Sequence, residues 1–271
     1  MMEQFAAATL HVSPKAEPIF TVAGFDVTNS HLLGILGLAV LIWLLLWTAK
    51  VARGKAKPNF ATRLITWAFD GLYRTVEGII PDKKWARRVA PLSITIFFFV
   101  IAQYWLGLLP IVGPITGGPE HAPIFRGGVA DLNMTFALAI ITIIAAQFYA
   151  IKYLGVRGNL GRYFISPFKN PIMSFVGLLE LIAELSRLLG LSFRLFGNVL
   201  AGEILLVMIS YLSGWLSPIA LQPFYIFELF IGGIQAYIFF MLTTVFISLG
   251  LSHEHDDSHT SSDTVTAKVE A

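Results

Sequence analysis

The apolar stretch LSRLLGLSFRLFGNVLAGEILL, residues 185–206, carries Arg187, Arg194, Asn198 and Glu203. A guanidinium cannot escape a low-dielectric setting by losing its proton, so each arginine here is a permanent charge. On a helix, Glu180, Glu184, Arg187, Leu191, Arg194 and Asn198 share one face. Arg187 can pair with Glu184 at a spacing of three. Arg194 has no carboxylate within a turn, because Glu203 lies on the opposite face and about 13 Å along the axis. Its counter-charge must come from another helix or another chain.

A second apolar segment, residues 222–251, carries Glu228 and Gln235. If the two segments pack antiparallel and turn at about residue 216, Glu228 comes level with Glu203, and Gln235 lies near Asn198 and Arg194. Polar groups are then stacked by depth. Glu203 and Glu228 occupy the outer half, Arg194 with Asn198 and Gln235 the middle, and Glu180 and Glu184 the inner half. A carboxyl group in low-dielectric surroundings can hold and release a proton near neutral pH. A fixed cation between two such groups bars a proton from passing straight through, yet attracts a carboxylate offered by a partner. The layout predicts two short proton paths, one open to each side, separated by Arg194.

The elements that must position these groups are membrane helices. The chain has 271 residues, of which 56% are hydrophobic and only 13% charged, against about 25% charged in soluble domains. The apolar residues form blocks long enough to span a bilayer, which takes about 20 residues. The reading is an all-α polytopic membrane protein, with membrane helices over residues 31–50, 91–112, 132–154, 171–212 and 222–251. Asn29 or Ser30 is the expected cap of the first. Residues 60–80 alternate apolar and charged positions at helical spacing (Phe60, Leu64, Trp67, Leu72 and Val76 among Arg63, Asp70, Arg74 and Glu77), as an amphipathic helix lying in the interface does. The run 171–212 would be about 60 Å long as one helix, so it either breaks near Gly190 or Gly197 or lies strongly tilted. The last two helices read as a long, tilted antiparallel hairpin.

Basic residues orient the chain. Lys50, Arg53, Lys55, Lys57, Arg63, Arg74, Lys83, Lys84, Arg87 and Arg88 lie between the first and second crossings, and Lys152, Arg157, Arg162 and Lys169 follow the third. The opposite loops carry little beyond Arg126. Positive loops stay cytoplasmic, so residues 1–30 are expected outside and the C-terminus inside. No signal-peptide pattern opens the sequence. The tail 252–271, with His253, His255 and His259, reads as a solvated, disordered cytoplasmic end rather than a metal site. The net charge of +2 gives no case for nucleic acid, and the absence of cysteine excludes thiolate metal sites and thiol catalysis. No glycine-rich nucleotide loop is present, and no cofactor or metal is expected.

The motifs LSFRLFGNVLAGEILL and GGIQAYIFFMLTTVFISL, with FDVTNSHLLGILG, LLPIVGP, ADLNMTFALAIITI and ELIAELSRLLGLSFRLFGN, resemble subunit a of F-type ATP synthases over about residues 29–251. The resemblance implies a stationary proton-translocating subunit of a rotary ATP synthase in the bacterial inner membrane. It also implies a c-subunit ring and the b-subunit peripheral stalk as partners, and no catalysis by this chain alone. Arg194 then matches the arginine that meets the ring carboxylate, and Asn198 and Gln235 match its polar neighbours. Glu203 and Glu228 match outer-path positions, Glu180 an inner-path carboxylate, and Asp131 an acidic residue at the outer end of its helix. Well-known members pair one Glu with one His in the outer path, and this chain departs from them with Glu at both positions.

Plainer roles stand beside these. Asn198 and Gln235 can serve as interhelical hydrogen bonds, Glu184 and Arg187 as a structural pair, and Asp131 as a cap or loop anchor. A self-contained proton-coupled transporter is the alternative function, but that class tends to show internal repeats, which are not visible here. A passive scaffold leaves Arg194 unexplained.

Overall fold

The computed structural model describes residues 18–22, 25–55, 57–109, 116–117, 122–123, 126–163 and 171–252. Most of the segment expected outside the membrane, and the tail from His253 onward with its three histidines, lie outside the described residues. Among the described residues, six α-helices carry the fold: α1 Asn29–Ala52, α2 Phe60–Ile79, α3 Lys83–Gly107, α4 Leu132–Tyr163, α5 Pro171–Ser213 and α6 Ser217–Ser252. Two short antiparallel ribbons accompany them. β1 Pro18–Val22 pairs with β2 Phe25–Thr28 just before α1, and β3 Thr116–Gly117 pairs with β4 Ala122–Pro123 between α3 and α4.

Among the described residues, four apolar stretches are long enough to cross a bilayer: Asn29–Ala52, Lys83–Gly107, Leu132–Val156 and Phe175–Leu251. The last runs through both α5 and α6, so five of the described helices carry these stretches, and the protein is an all-α polytopic membrane protein. Their outward faces carry exposed Ile35, Trp43, Ile144, Phe148, Leu181 and Phe230, the surface that lipid rather than water would cover. Several threonine hydroxyls in these helices bond back within the helix. Thr142, Thr243 and Thr244 donate to the carbonyls of Leu138, Phe239 and Phe240 at 2.8 to 3.0 Å, so these three hydroxyls are satisfied in an apolar setting. Helix α2 is amphipathic in another way. Leu72 and Val76 are buried against the bundle, Phe60 and Trp67 are exposed, and Arg63, Asp70, Arg74 and Glu77 face outward.

Several boundaries differ from the sequence reading, each for a local reason. The cap of α1 is Thr28, one residue before the expected pair. Helix α3 begins at Lys83, eight residues before Pro91. Asp82 caps it by accepting from the Lys84 N–H at 2.8 Å, and Pro91 sits inside. The proline withholds one backbone donor there, and Tyr149 of α4 donates its hydroxyl to the Arg88 carbonyl nearby at 2.8 Å. Helix α3 ends at Gly107, short of the expected residue 112. In α4 the helical path breaks at Gly155, where φ is 77°, a conformation that suits glycine. Helix α5 runs unbroken for 43 residues, about 65 Å, through both Gly190 and Gly197. Helix α6 starts at Ser217, after Gly214 turns the chain at φ 52°. Pro218 fits its first turn, where a missing N–H costs nothing.

Helices α3 and α6 brace the interior. One buried cluster joins Leu72 and Val76 of α2, Val89, Ile94 and Phe98 of α3, and Phe240 and Ile247 of α6. A second joins Ile96, Val100 and Tyr104 of α3, Leu138 and Ala139 of α4, Leu191, Leu195 and Val199 of α5, and Phe239 of α6. Helices α3 and α6 pack tightly at Gly232, where a Cβ would fall 2.5 Å from Cδ1 of Tyr104. Gly232→Ala is therefore expected to destabilise the chain by about 1–3 kcal/mol through overpacking. Gly71→Ala on α2, where a Cβ would meet nothing within 4 Å, is expected to be neutral or stabilising by up to about 1 kcal/mol. Thermal unfolding of the detergent-solubilised protein checks both, and equal midpoints for the two variants contradict the packing.

Candidate functional site

The middle of α5 has a closed face and an open one. Leu191, Leu195 and Val199 are buried against α3, α4 and α6. Thr135 of α4 and Ser192 share a hydrogen bond at 3.2 Å behind them. Beside that stripe Arg194 is exposed, and among the described residues it makes no hydrogen bond or ion pair. Gly190 and Gly197 flank it one turn away on either side, and a Cβ on either would meet nothing within 4 Å. Asn198 donates Nδ2 to Oε1 of Gln235 at 2.8 Å. The hairpin therefore has the register in which these two residues lie level. Gln235 is 1% exposed, and its Nε2 has no partner among the described residues.

Toward the α5–α6 turn the two outer carboxylates meet different neighbours. Glu228, 3% exposed, accepts from the Tyr104 hydroxyl at 2.9 Å. Its carboxyl lies so close to α5 that a Cβ on Gly202 would fall 2.5 Å from it. Glu203 pairs with Nη2 of Arg126 at 3.1 Å. Gln103, Tyr104, Val199, Glu203 and Glu228 line a cavity between them, closed by Gly107 and Gly127. Its volume of about 20 Å³ has room for one water molecule. The arrangement can pass a proton between two carboxylates through a hydroxyl or a water.

Toward the start of α5 a separate cavity is lined by Gln147, Glu184, Arg187, Phe246 and Gly250. Gln147 donates Nε2 to Oε1 of Glu184 at 2.5 Å. The Glu184–Arg187 pair expected from spacing is not formed. The Arg187 guanidinium instead lies over the Phe246 ring at 5.3 Å, a cation–π contact that competes with the intrahelical pair. Glu180 is half-buried one turn nearer the start of α5, outside the lining of this cavity. Asp131 stands apart from both cavities. Its Oδ1 accepts from the Asn133 N–H at 3.0 Å and its Oδ2 from Ser30 Oγ at 3.2 Å, so it starts α4 and ties it to α1.

Three residues of these clusters were not singled out from the sequence: Tyr104, Arg126 and Gln147. Tyr104 and Gln147 are polar-tipped residues within apolar helices, where such a group needs a partner when buried. That need was the signal available. Arg126 was visible as the lone basic residue of its loop, but 77 positions separate it from Glu203.

The family described as ATP synthase A chain matches residues 31–248. The chain is 34% identical to the ATP synthase subunit a of Listeria monocytogenes over 250 residues, covering 88% of this chain and 98% of that one. It is 34% identical to ATP synthase subunit a of Buchnera aphidicola over 198 residues, covering 71% and 72%. Against that of Acinetobacter baumannii the identity is 29% over 251 residues, covering 86% and 85%. An arginine with no hydrogen bond or ion pair among the described residues, on an open apolar face with carboxylates on either side of it, thus stands in a chain that belongs to the ATP synthase A chain family, a proton-translocating, non-catalytic membrane component of the ATP synthase complex.

Proposed function

We propose that this chain is the stationary subunit of a rotary ATP synthase and offers two offset half-channels to the carboxylates of a c-subunit ring, with Arg194 separating them. The observation that carries the reading is the setting of Arg194: a permanent cation on an open helix face, between two glycines that leave room for another helix to approach. A bare guanidinium in hydrocarbon is costly, and a ring carboxylate arriving at that face would relieve the cost.

Glu203 and Glu228, with Asn198 and Gln235 between them and Arg194, form the outer half-channel. Glu184 and Glu180 form the inner one. Glu203 lies nine residues after Arg194 and Glu184 ten before it, each about 13–15 Å along the axis. That is too far for direct proton transfer past the arginine. A proton entering by the outer pair neutralises a ring carboxylate released from Arg194. It leaves past the inner pair after the ring has turned almost fully. Asp131 serves this path by capping α4 and tying its start to α1. The chain sits in the bacterial inner membrane with its N-terminus outside and its basic loops in the cytoplasm, where the b-subunit stalk joins it. The nucleotide chemistry belongs to other subunits.

In membranes carrying Arg194→Ala, ATP-driven pumping and proton-driven synthesis should both vanish while the complex still assembles. Arg194→Lys should fail too, because a desolvated ammonium can lose its proton where guanidinium cannot. Normal coupling in Arg194→Ala would sink the reading. The double variant Glu203→Gln, Glu228→Gln should lower proton flux through the assembled complex about tenfold or more, the lower end of general acid–base effects. Flux equal to wild type would remove both residues from the path.

A further inference from the structure

Two glutamates in one small cavity would ordinarily titrate as an undivided pair. The structure gives them unlike partners. Glu228 holds a neutral hydroxyl, Tyr104 Oη, at 2.9 Å and is 3% exposed. Glu203 holds a cation, Arg126 Nη2, at 3.1 Å, with its side chain 31% exposed and that of Arg126 only 9%. The arginine does not hang from a loose loop. A Cβ on Gly107 of α3 would come 3.1 Å from the Gly127 Cα, and a Cβ on Gly128 would lie 2.8 Å from Gln103 Oε1 and 3.3 Å from the Gly34 Cα of α1. Gln103 donates Nε2 to the Gly34 carbonyl at 2.8 Å, joining α3 to α1 under that segment. Consecutive glycines thus seat the backbone after Arg126 against two helices and aim its guanidinium at Glu203.

We propose that Arg126 is a positioning residue of the outer half-channel: it pairs with the Glu203 carboxyl at the mouth of the cavity and so gives two identical side chains different roles. The proposal rests on the proton-path reading above and adds an order to it. Glu203, the more exposed of the two, receives the incoming proton, which cancels its charge and loosens its pairing with the guanidinium. Glu228, buried against Tyr104, takes the proton next. Among the described residues, the ionisable groups around Glu203 are Arg126 from the loop before α4, Tyr104 from α3 and Glu228 from α6. On α5 itself the nearest is Arg194, nine residues back, while Asp131 at the start of α4 is turned to Ser30 of α1.

The test is proton-driven ATP synthesis by the whole complex in liposomes, at constant pH difference and voltage, with pH varied on the side that feeds the outer cavity. A carboxylate deprived of an adjacent cation takes up a proton from more alkaline solution, so Arg126→Gln should move the midpoint of the profile to higher pH by about one unit. Arg126→Lys, which keeps the charge, should restore most of that shift. Glu203→Asp draws the carboxylate back from the guanidinium by one methylene and should move the midpoint the same way as Arg126→Gln. Profiles of Arg126→Gln and Glu203→Asp that overlay wild type overturn the proposal. So does a uniform fall in rate at every pH, the mark of a purely structural arginine. If Arg126→Gln fails to assemble, Glu203→Asp decides by the same criterion. An Arg194→Ala complex that still couples defeats the underlying proton-path reading instead, whatever the position of the Arg126→Gln profile.

Discussion

A guanidinium held in an apolar face governs the architecture. Arg194 cannot neutralise itself, and within the described residues nothing neutralises it. The rest of α5 is arranged so that this state persists. The adjoining face of the helix, with Leu191, Leu195 and Val199, is buried in the bundle, which holds the arginine on the open side. Gly190 and Gly197 stand one turn away on either side of it, in open space. The carboxylates that could pair with it are kept about 13–15 Å away along the axis and are occupied elsewhere: Glu203 by Arg126, Glu228 by Tyr104, and Glu184 by Gln147.

That separation depends on the brace formed by α3 and α6. Tyr104 and Gln103 project from α3 into the outer cavity, and the ring of Tyr104 packs on Gly232 of α6. The same two helices contribute to both buried clusters. A long α5 lying on so continuous a support carries its two polar clusters at fixed separation, as offset entry and exit paths require. Large-to-small changes in this support would be felt at both cavities, because close-packed interiors transmit displacement.

The parts of this arrangement that local periodicity controls were legible in the sequence. The antiparallel register followed from two apolar runs and a short turn, and it places Asn198 against Gln235 at 2.8 Å. The amphipathic α2 followed from charges interleaved with aromatic residues at helical spacing. What was not legible depended on competition or on distant contact. Pro91 reads as a helix start, yet Asp82 caps α3 nine residues earlier, and the bundle accepts the proline inside. Glu184 and Arg187 have pairing spacing, but Gln147 and the Phe246 ring, supplied by α4 and α6, take them instead. Arg126 meets Glu203 only because Gly127 and Gly128 let their loop settle on α1 and α3, which no single-segment pattern announces.

The open face around Arg194 is the central claim, and the absence of cysteine from the chain makes it directly measurable. Single cysteines placed by Gly190→Cys, Gly197→Cys or Gly202→Cys would be oxidised, in native membranes, against a cysteine set beside the carboxylate of the c subunit. Disulfide formation at positions 190 and 197 but not at 202, whose Cβ would point at the Glu228 carboxyl, is the result this account predicts. Cross-linking at 202 with none at 190 or 197 would mean that the ring meets the other side of α5, and would contradict it.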